Sequence, residues 1–492
     1  MPSNDMRPHI AREADNGAAV ATWEIPELPL SVMRTLTTLA FFHPDSEVLE
    51  SLVMDAESAL FPSENMEMFE FFKSVDHLDG LSLAKISYHR YSMSLSTYQA
   101  VQDSLLYKLP GASLSHGFNT TVKILSSSFP NIWQDMISYN CRGYSSWESC
   151  SVVLPHINYL TEIKERHNIT SVDAATWAEL LFRAATHLWE AEQLHSAMRL
   201  VLLGTETSLD LPVMLAAQGH RLLGHILLDL ARPRDAVLSY TNALHLVLEL
   251  HPTDPPCGVI AQILDSIALC LLEVGDVAGA FQALQWAMPI HRTHNSDRMA
   301  HPHFVRAMVY LRSGNPSRAL EELSDSWASR GTTQEEIEAG SDPERSSDVL
   351  LLAKIYWAQG KSEEAEALAR KSICMRKAIA LSTRGEVRGR MRVAESNFML
   401  GLMHIEEGKM SSAEGFLQRV VKESRGYSDM GGHMARSLWL LANVASCNGS
   451  TEKEVETLRK RARVERSRTR GREWEDEDTD EGFMRLASQV LL

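Results

Sequence analysis

Cysteine is scarce in this chain of 492 residues: there are six, at positions 141, 150, 257, 270, 374 and 447. None forms a CxxC, and no cysteine pair is matched by a histidine pair at finger spacing, which argues against a zinc finger and against a disulfide framework. Cys270 and Cys447 sit inside apolar helical runs and read as small buried hydrophobes in a reducing compartment. Positive charge is in deficit too: 48 Lys and Arg against 64 Asp and Glu leave −16 at pH 7. Such a balance excludes a general nucleic-acid binder, which must neutralise phosphates. No apolar run approaches the roughly 18 to 20 residues that a membrane-spanning helix needs. The opening stretch MPSNDMRPHIAREADNG is polar and carries acids, so it is expected to be neither a signal nor a transit peptide. Catalytic signatures are missing as well. There is no GxxxxGK[ST], no HExxH and no GxSxG. The triplet Gly360-Lys361-Ser362 has no Gly five positions ahead of it and falls on a repeat turn.

What is there is an ordinary globular mix, 44% hydrophobic and 23% charged, too apolar for a mostly disordered chain. Length alone suggests about three domains, but internal repetition changes that count. In RLLGHILLDLARPRDAVLSYTNAL (221–244), Gly224 is followed twelve residues later by Ala236, then by Tyr240 and Ala243. The same offsets pair Ala268 with Ala280, Ala307 with Ala319, Ala353 with Ala365 and Gly401 with Ala413. Between the two small residues, at the seventh position, stand Gly275, Gly314, Gly360 and Gly408. A looser unit with Ala185 and Ala197 precedes them, and a degenerate one with Ala442 and Gly449 follows, where Glu454 replaces the second small residue. Small residues on facing helices permit close approach, and Gly between them permits a tight turn. An aromatic or Leu four residues after the second small residue falls on the same helical face.

This spacing resembles the tetratricopeptide repeat over roughly 175–465. Successive first anchors at 185, 224, 268, 307, 353, 401 and 442 are 39, 44, 39, 46, 48 and 41 residues apart, against about 34 in the common unit. The surplus is either about one extra turn per helix or longer connections. Long units of this kind resemble the kinesin-light-chain variety, and His251-Pro252 and His301-Pro302 fall at the joints. The implied fold is mainly α, a solenoid of six or seven helical hairpins stacked into a superhelix with a concave surface.

The front of the chain reads differently. LPLSVMRTLTTLAFF (from 28) is a helix broken at His43-Pro44, after which Asp45 or Ser46 can cap a following helix. MEMFEFFKSVDHL (66–78) is a third helical pattern; LSLAKISY (81–88) and YSMSLS (91–96) read as a hairpin; TYQAVQDSLLYKL (97–109) returns to helix. The expected organisation is a disordered 1–22, a small winged-helix-like α+β module over 23–110, a helical connector over 111–174, the superhelix over 175–465, and a charged linker with an amphipathic helix over 466–492. Segments 331–346 and 466–481 read as loops.

LAFFHPDSEVLESLV, SLAKISYHRYSMSLSTYQAVQDSLLYKL, FNTTVKILSSSFP and VVLPHINYL, in that order ahead of long repeats, resemble the segment that follows the nucleotide-binding domain in fungal NLR-type proteins of the STAND ATPase class. Two departures count. Only about 22 residues precede the module, too few for a nucleotide-binding domain. The family's His-Arg-Leu-Val-Gln stretch reads Tyr98, Gln99, Ala100, Val101 and Gln102 here, and a phenol at 98 cannot make the contact that the family's histidine makes to the bound ADP phosphate. The resemblance therefore implies an NLR-type sensor without its motor, binding no nucleotide, either a free-standing adaptor or a truncated product. The stretch 97–109 carries one Lys and no Arg, so no DNA-reading role is expected.

Other constellations are weaker. His291, His294, His301 and His303 cluster where one repeat meets the next and read as joint residues rather than a zinc site. No metal, cofactor or catalytic set is expected. Positions three before, one after and four after each first anchor should face the groove. They include Arg221, His225, Asp265, Phe304, Met308, Lys354, Trp357, Phe398, Leu402, Trp439 and Asn443. This set is mostly apolar, so the positions are either packed against one another or form a groove for an amphipathic helix. Residues 459–472 hold eight Lys or Arg, 473–481 hold seven acids, and Phe483, Leu486, Ala487, Val490 and Leu491 then share a helical face. That last helix is expected to cover the final repeat or fold back into the groove. The basic run reads as a helix end and linker, or as a nuclear-import signal. The sequence thus predicts a cytoplasmic or nuclear, non-enzymatic protein–protein interaction scaffold, with a regulatory or accessory subunit as the alternative.

Overall fold

The computed structural model describes residues 28–44, 46, 48–49, 66–81, 84–87, 90–92, 111–130, 146–169, 173–206, 211–250, 258–294, 299–382, 390–469 and 478–488. The expected disordered 1–22, the closing helix 97–109 with Tyr98, the joint His251-Pro252, most of the acidic run, and Val490 and Leu491 lie outside the described residues. The chain divides into two units, residues 1–132 with 145–184, and residues 133–144 with 185–492.

In the first unit, α1 (Leu30–Leu39) ends short of His43-Pro44, and the hydroxyls of Thr37 and Thr38 donate to carbonyls one turn back. A strand, not a capped helix, follows the break: β1 (Val48–Leu49). Next come α2 (Met66–Gly80), β2 (Lys85–Ser87) and β3 (Arg90–Ser92). The strands form one antiparallel sheet in the order β1-β3-β2, with Ile86 opposite Tyr91 and Val48 opposite Tyr91 on the other side. Two longer helices follow, α3 (Gly111–Ser128) and α4 (Trp147–His167). A Cβ on Gly117 of α3 would lie 2.5 Å from the Thr37 methyl, so a side chain there would force α1 and α3 apart.

The second unit repeats one motif. The helices pair as α5 (Ala174–Glu190), whose residues up to 184 belong to the first unit, with α6 (Leu194–Glu206), α7 (Val213–Asp229) with α8 (Pro233–Leu250), and α9 (Gly258–Val274) with α10 (Val277–His294). After them come α11 (Ala300–Arg312) with α12 (Pro316–Ala328), and then a short α13 (Gln334–Ala339). The last three pairs are α14 (Ser346–Ala358) with α15 (Ser362–Ser382), α16 (Arg390–Glu406) with α17 (Met410–Glu423), and α18 (Gly431–Cys447) with α19 (Glu452–Arg468). A five-residue α20 (Asp480–Met484) comes last. The chain is thus a solenoid of tetratricopeptide-like helical hairpins. All the small anchors are fully buried where their helices cross: Ala268 against Ala280, Ala307 against Ala319, Ala353 against Ala365. Two of the first anchors are Gly, each close under a large residue of the second helix. A Cβ on Gly224 would sit 2.6 Å from the Tyr240 ring, and one on Gly401 would sit 3.0 Å from Leu417.

Every turn follows the same geometry. The residue seven after the first anchor is left-handed, and the next residue's N–H returns to a carbonyl five positions back, for example Asp276 to Leu271 (2.8 Å) and Lys361 to Tyr356 (2.9 Å). In five hairpins the left-handed residue is Gly. The first two hairpins put Glu192 (φ 61°) and Ala231 (φ 56°) there instead, at a cost of about 1–2 kcal/mol for an L-residue.

The surplus length of the units has two destinations. Most first helices run 17 residues, while α11 and α12 run only 13. That shorter hairpin instead carries its surplus in the connection after it. Residues 331–346, expected as a loop, contain α13. Thr333 and Glu336 form a reciprocal capping box, Ile337 is 2% exposed, and Tyr356 donates to Glu338 at 3.0 Å. Capping and one buried apolar residue give this acidic stretch enough to fold. Cys447, expected to be buried, is exposed at the end of α18, as is Cys374, whereas Cys150 and Cys270 are buried. No helix among the described residues is long and apolar enough to cross a membrane.

Two substitutions test the crossing and the turn. Gly224→Ala drives a methyl into the Tyr240 ring and is expected to destabilise the chain by about 2 kcal/mol. Ala231→Gly relieves a left-handed alanine, and after the entropic cost of Gly it is expected to stabilise by about 0.5–1 kcal/mol. Urea unfolding of both variants against the parent reads the two signs.

Candidate functional site

First helices contact one another along much of the array, α7 with α9, α9 with α11, α11 with α14, and α16 with α18, so they line a common surface. A cavity of about 380 Å3 opens on it. Five of the expected groove residues line it: Met308, Lys354, Trp357, Phe398 and Leu402. Leu272, Leu311 and Met399 extend its apolar wall. Phe304 stands half-buried against the same core.

The other expected residues are engaged elsewhere. Arg221 is buried and donates to Gln218 (3.1 Å) and Gln262 (2.9 Å). His225 stacks on Trp189 at 5.2 Å and pairs with the Tyr240 hydroxyl at 2.7 Å. Asp265 is buried against His291 Nε2 at 2.8 Å. Arg221 and His225 thus reach a neighbouring hairpin, through Gln262 and Trp189, while Asp265 ties the two helices of its own hairpin together. Trp439 and Asn443 lie under the segment 478–488: Asp480 Oδ1 accepts from Trp439 Nε1 (2.6 Å) and from Asn443 Nδ2 (3.0 Å).

On the polar side of the cavity the sequence pointed to Lys354 but not to Glu395 or Arg436. Glu395 on α16 lies between Lys354 on α14, at 3.7 Å, and Arg436 on α18, with which it makes a close ion pair. The Arg436 guanidinium also lies 3.9 Å over the Phe398 ring and donates to His433 Nδ1 at 3.1 Å. Burial pushes the Glu395 carboxyl up, but Arg436 and Lys354 outweigh it and hold the group below its ordinary range. Burial pulls Lys354 down, and Glu395 only partly offsets this. Glu395 and Arg436 stand six residues before their anchors Gly401 and Ala442, as Gln218 and Gln262 do before Gly224 and Ala268. In a 17-residue helix this position falls one turn further along the inner face. Extending the positional rule by a turn would have found it.

The histidine cluster does not converge. His291 pairs with Asp265, and His303 pairs with Glu322 at 2.8 Å. His303, Glu322 and Asp325 lie close enough to share an ion, but Glu322 already bridges to Arg306 at 3.0 Å. Gly360 holds the left-handed turn position and Ser362 starts α15.

No protein-family model and no curated protein matches the chain. Solved structures similar to it include the following three. A STAND signal-transduction ATPase with a tetratricopeptide repeat sensor from Pyrococcus horikoshii is 13% identical, covering 89% of this chain and 63% of its own, with a TM-score of 0.37. The nearly identical kinesin-light-chain TPR-like repeats of Podospora anserina are 20% identical, covering 44% and 99%, with a TM-score of 0.32. Aspartyl phosphate phosphatase F from Bacillus subtilis is 12% identical, covering 82% and 97%, with a TM-score of 0.44.

The charged wall yields two expected outcomes. Glu395→Gln leaves Lys354 and Arg436 without their shared carboxylate and is expected to cost roughly 3 kcal/mol in urea unfolding. Burial, with Arg436 beside it, pulls His433 from 6.5 to about 3. Folded His433 therefore stays neutral where the unfolded chain takes up a proton, so its penalty is absent above pH 6.5 and grows as pH falls towards 3. The expected loss between pH 7 and pH 5 is about 2 kcal/mol from this residue. His433→Gln, which keeps an acceptor for Arg436, should lessen the pH dependence by that amount.

Proposed function

We propose that the chain is a non-catalytic protein-interaction scaffold whose inner surface receives an amphipathic segment of a partner protein. The observation that carries this reading is the cavity, with Met308, Leu311, Trp357 and Leu402 as an apolar wall and Lys354, Glu395 and Arg436 as a charged one. An amphipathic helix presents the complementary pair of faces. Trp357 supplies a rigid anchor, while Met308 and Met399 supply an adaptable surface.

The reading extends to an NLR-type protein without a nucleotide-binding domain. Among the described residues the order helix, strand, helix, strand, strand, with the last strand central in the sheet, is what supports a winged-helix-like module ahead of the repeats. The chemistry assigned to the chain needs no nucleotide, metal or nucleic acid. A cytoplasmic or nuclear location fits a scaffold of this kind. The alternative, a regulatory or accessory subunit of an enzyme or transcription factor, would use the same groove.

Photo-crosslinking tests the site. A crosslinking amino acid at position 357 or 402 should capture the partner, whereas one at position 286, where Trp286 is 59% exposed on α10, should not. Capture from 286 alone would place binding on the second helices and end the groove reading. Trp357→Ala should weaken the captured complex by at least 2 kcal/mol, about 30-fold in Kd. Calorimetry with ATP or ADP should register no binding.

A further inference from the structure

The segment 478–488 lies on the inner surface, held at both ends and in the middle. Asp478 pairs with Arg463 (2.8 Å) and Arg466 (3.0 Å) of α19. Thr479 caps α20 by accepting from the Gly482 N–H at 3.0 Å. Asp480 takes the Trp439 and Asn443 donors described above. One turn later Phe483, 1% exposed, stacks on the Trp439 ring at 4.2 Å and 10°, and the Arg466 guanidinium lies 4.7 Å from its centroid. Met484 enters the wall of the cavity. The backbone then passes Gly432 so closely that a Cβ there would come 1.7 Å from the Leu486 carbonyl oxygen. Finally Ser488 donates to Glu273 of α9 at 2.9 Å. The segment therefore reaches from the last hairpin to the third, and it is a single short helix followed by a turn and a bend rather than the longer helix expected from the sequence.

These contacts have the form of peptide recognition. A carboxylate is read by two neutral donors, and an aromatic ring three residues later is held between an indole and a guanidinium. The acidic flank meets cations of α19. We propose that Trp439, Asn443, Arg463 and Arg466 form a recognition site for an acidic segment carrying a carboxylate three residues before an aromatic ring. Residues 478–488 fill this site in cis and compete with a partner segment of the same chemistry. The proposal rests on the scaffold reading and names both the chemistry of the partner and the device that regulates its access. A short tether supplies an effective concentration of order 1 mM, so a partner with micromolar intrinsic affinity meets a site that is mostly occupied.

The test uses a fluorescein-labelled peptide of sequence DTDEGFMRLAS, which reproduces residues 478–488, and full-length chains. The double variant Asp480→Ala/Phe483→Ala should free the site and bind the peptide at least tenfold more tightly than the parent, read by fluorescence anisotropy. A peptide with Ala in place of its Phe should lose that binding. In the double-variant background, Asn443→Ala should weaken binding about tenfold, and Trp439→Ala should abolish it. If Trp439→Ala alters the thermal unfolding curve, Asn443→Ala, at the rim, decides the question. Equal binding by parent and double variant, or no binding by the double variant, overturns the proposal. Crosslinking from position 357 would still report on the groove, so the two readings fail separately.

Discussion

Close approach of two helices governs the second unit. In six of the seven hairpins the inner surfaces close around two small residues, and at Gly224 any side chain would strike the Tyr240 ring. That requirement sets the twelve-residue offset, and the offset sets where the left-handed turn residue must fall. Once the turn is fixed, the phase of both helices is fixed, and so is the face that each presents to its neighbours. Paired helices of this kind have no complete core of their own. The buried cluster that begins at Ala268 runs without a break to Phe416, through four hairpins.

The inner surface inherits its character from helix length. In helices one turn longer than a minimal hairpin needs, a further residue faces inward, and in this chain that residue is polar. Between the earlier hairpins it is spent on stitching, as Gln218 and Gln262 accept from Arg221. Later it provides Glu395 and Arg436, and a mainly apolar surface gains a charged side. Acidity that looked like a global property of the chain is local in its effects: the run before Phe483 meets the cations of α19, and Asp478 and Asp480 hold the segment in place.

Much of this was legible in the sequence. The anchors 185, 224, 268, 307, 353, 401 and 442 all lie in first helices, because small residues at a crossing and Gly at a turn are steric requirements that leave a periodic trace. Residues whose role depends on a distant partner leave none. Arg221, His225 and Asp265 occupy positions that face inward by count, yet Gln262, Trp189 and His291 from neighbouring elements take them up. Nothing local distinguishes them from Lys354 or Trp357, which stay on the cavity. The fold-back of 478–488 was readable as an apolar face, but its short helix was not, because Asp480 and Phe483 are fixed by Trp439 rather than by helical periodicity.

One further contact changes how the solenoid behaves as a whole. Glu192, the strained turn residue of the first hairpin, accepts from the N–H of Met391 at 2.6 Å and pairs with Arg392, 199 and 200 residues away at the start of α16. In return, Asp429 accepts from the N–H of Leu194 at 3.1 Å at the start of α6. Each end of this span thus caps a helix belonging to the other. An open stack of repeats can gain or lose a member and remain a stack. Here an inserted or deleted hairpin would leave both helix ends uncapped, so the number of repeats between residues 192 and 391 is fixed by geometry. Fraying is restricted in the same way: an opening that starts at the first hairpin must also uncap α16, which ties the first repeat to the sixth of seven.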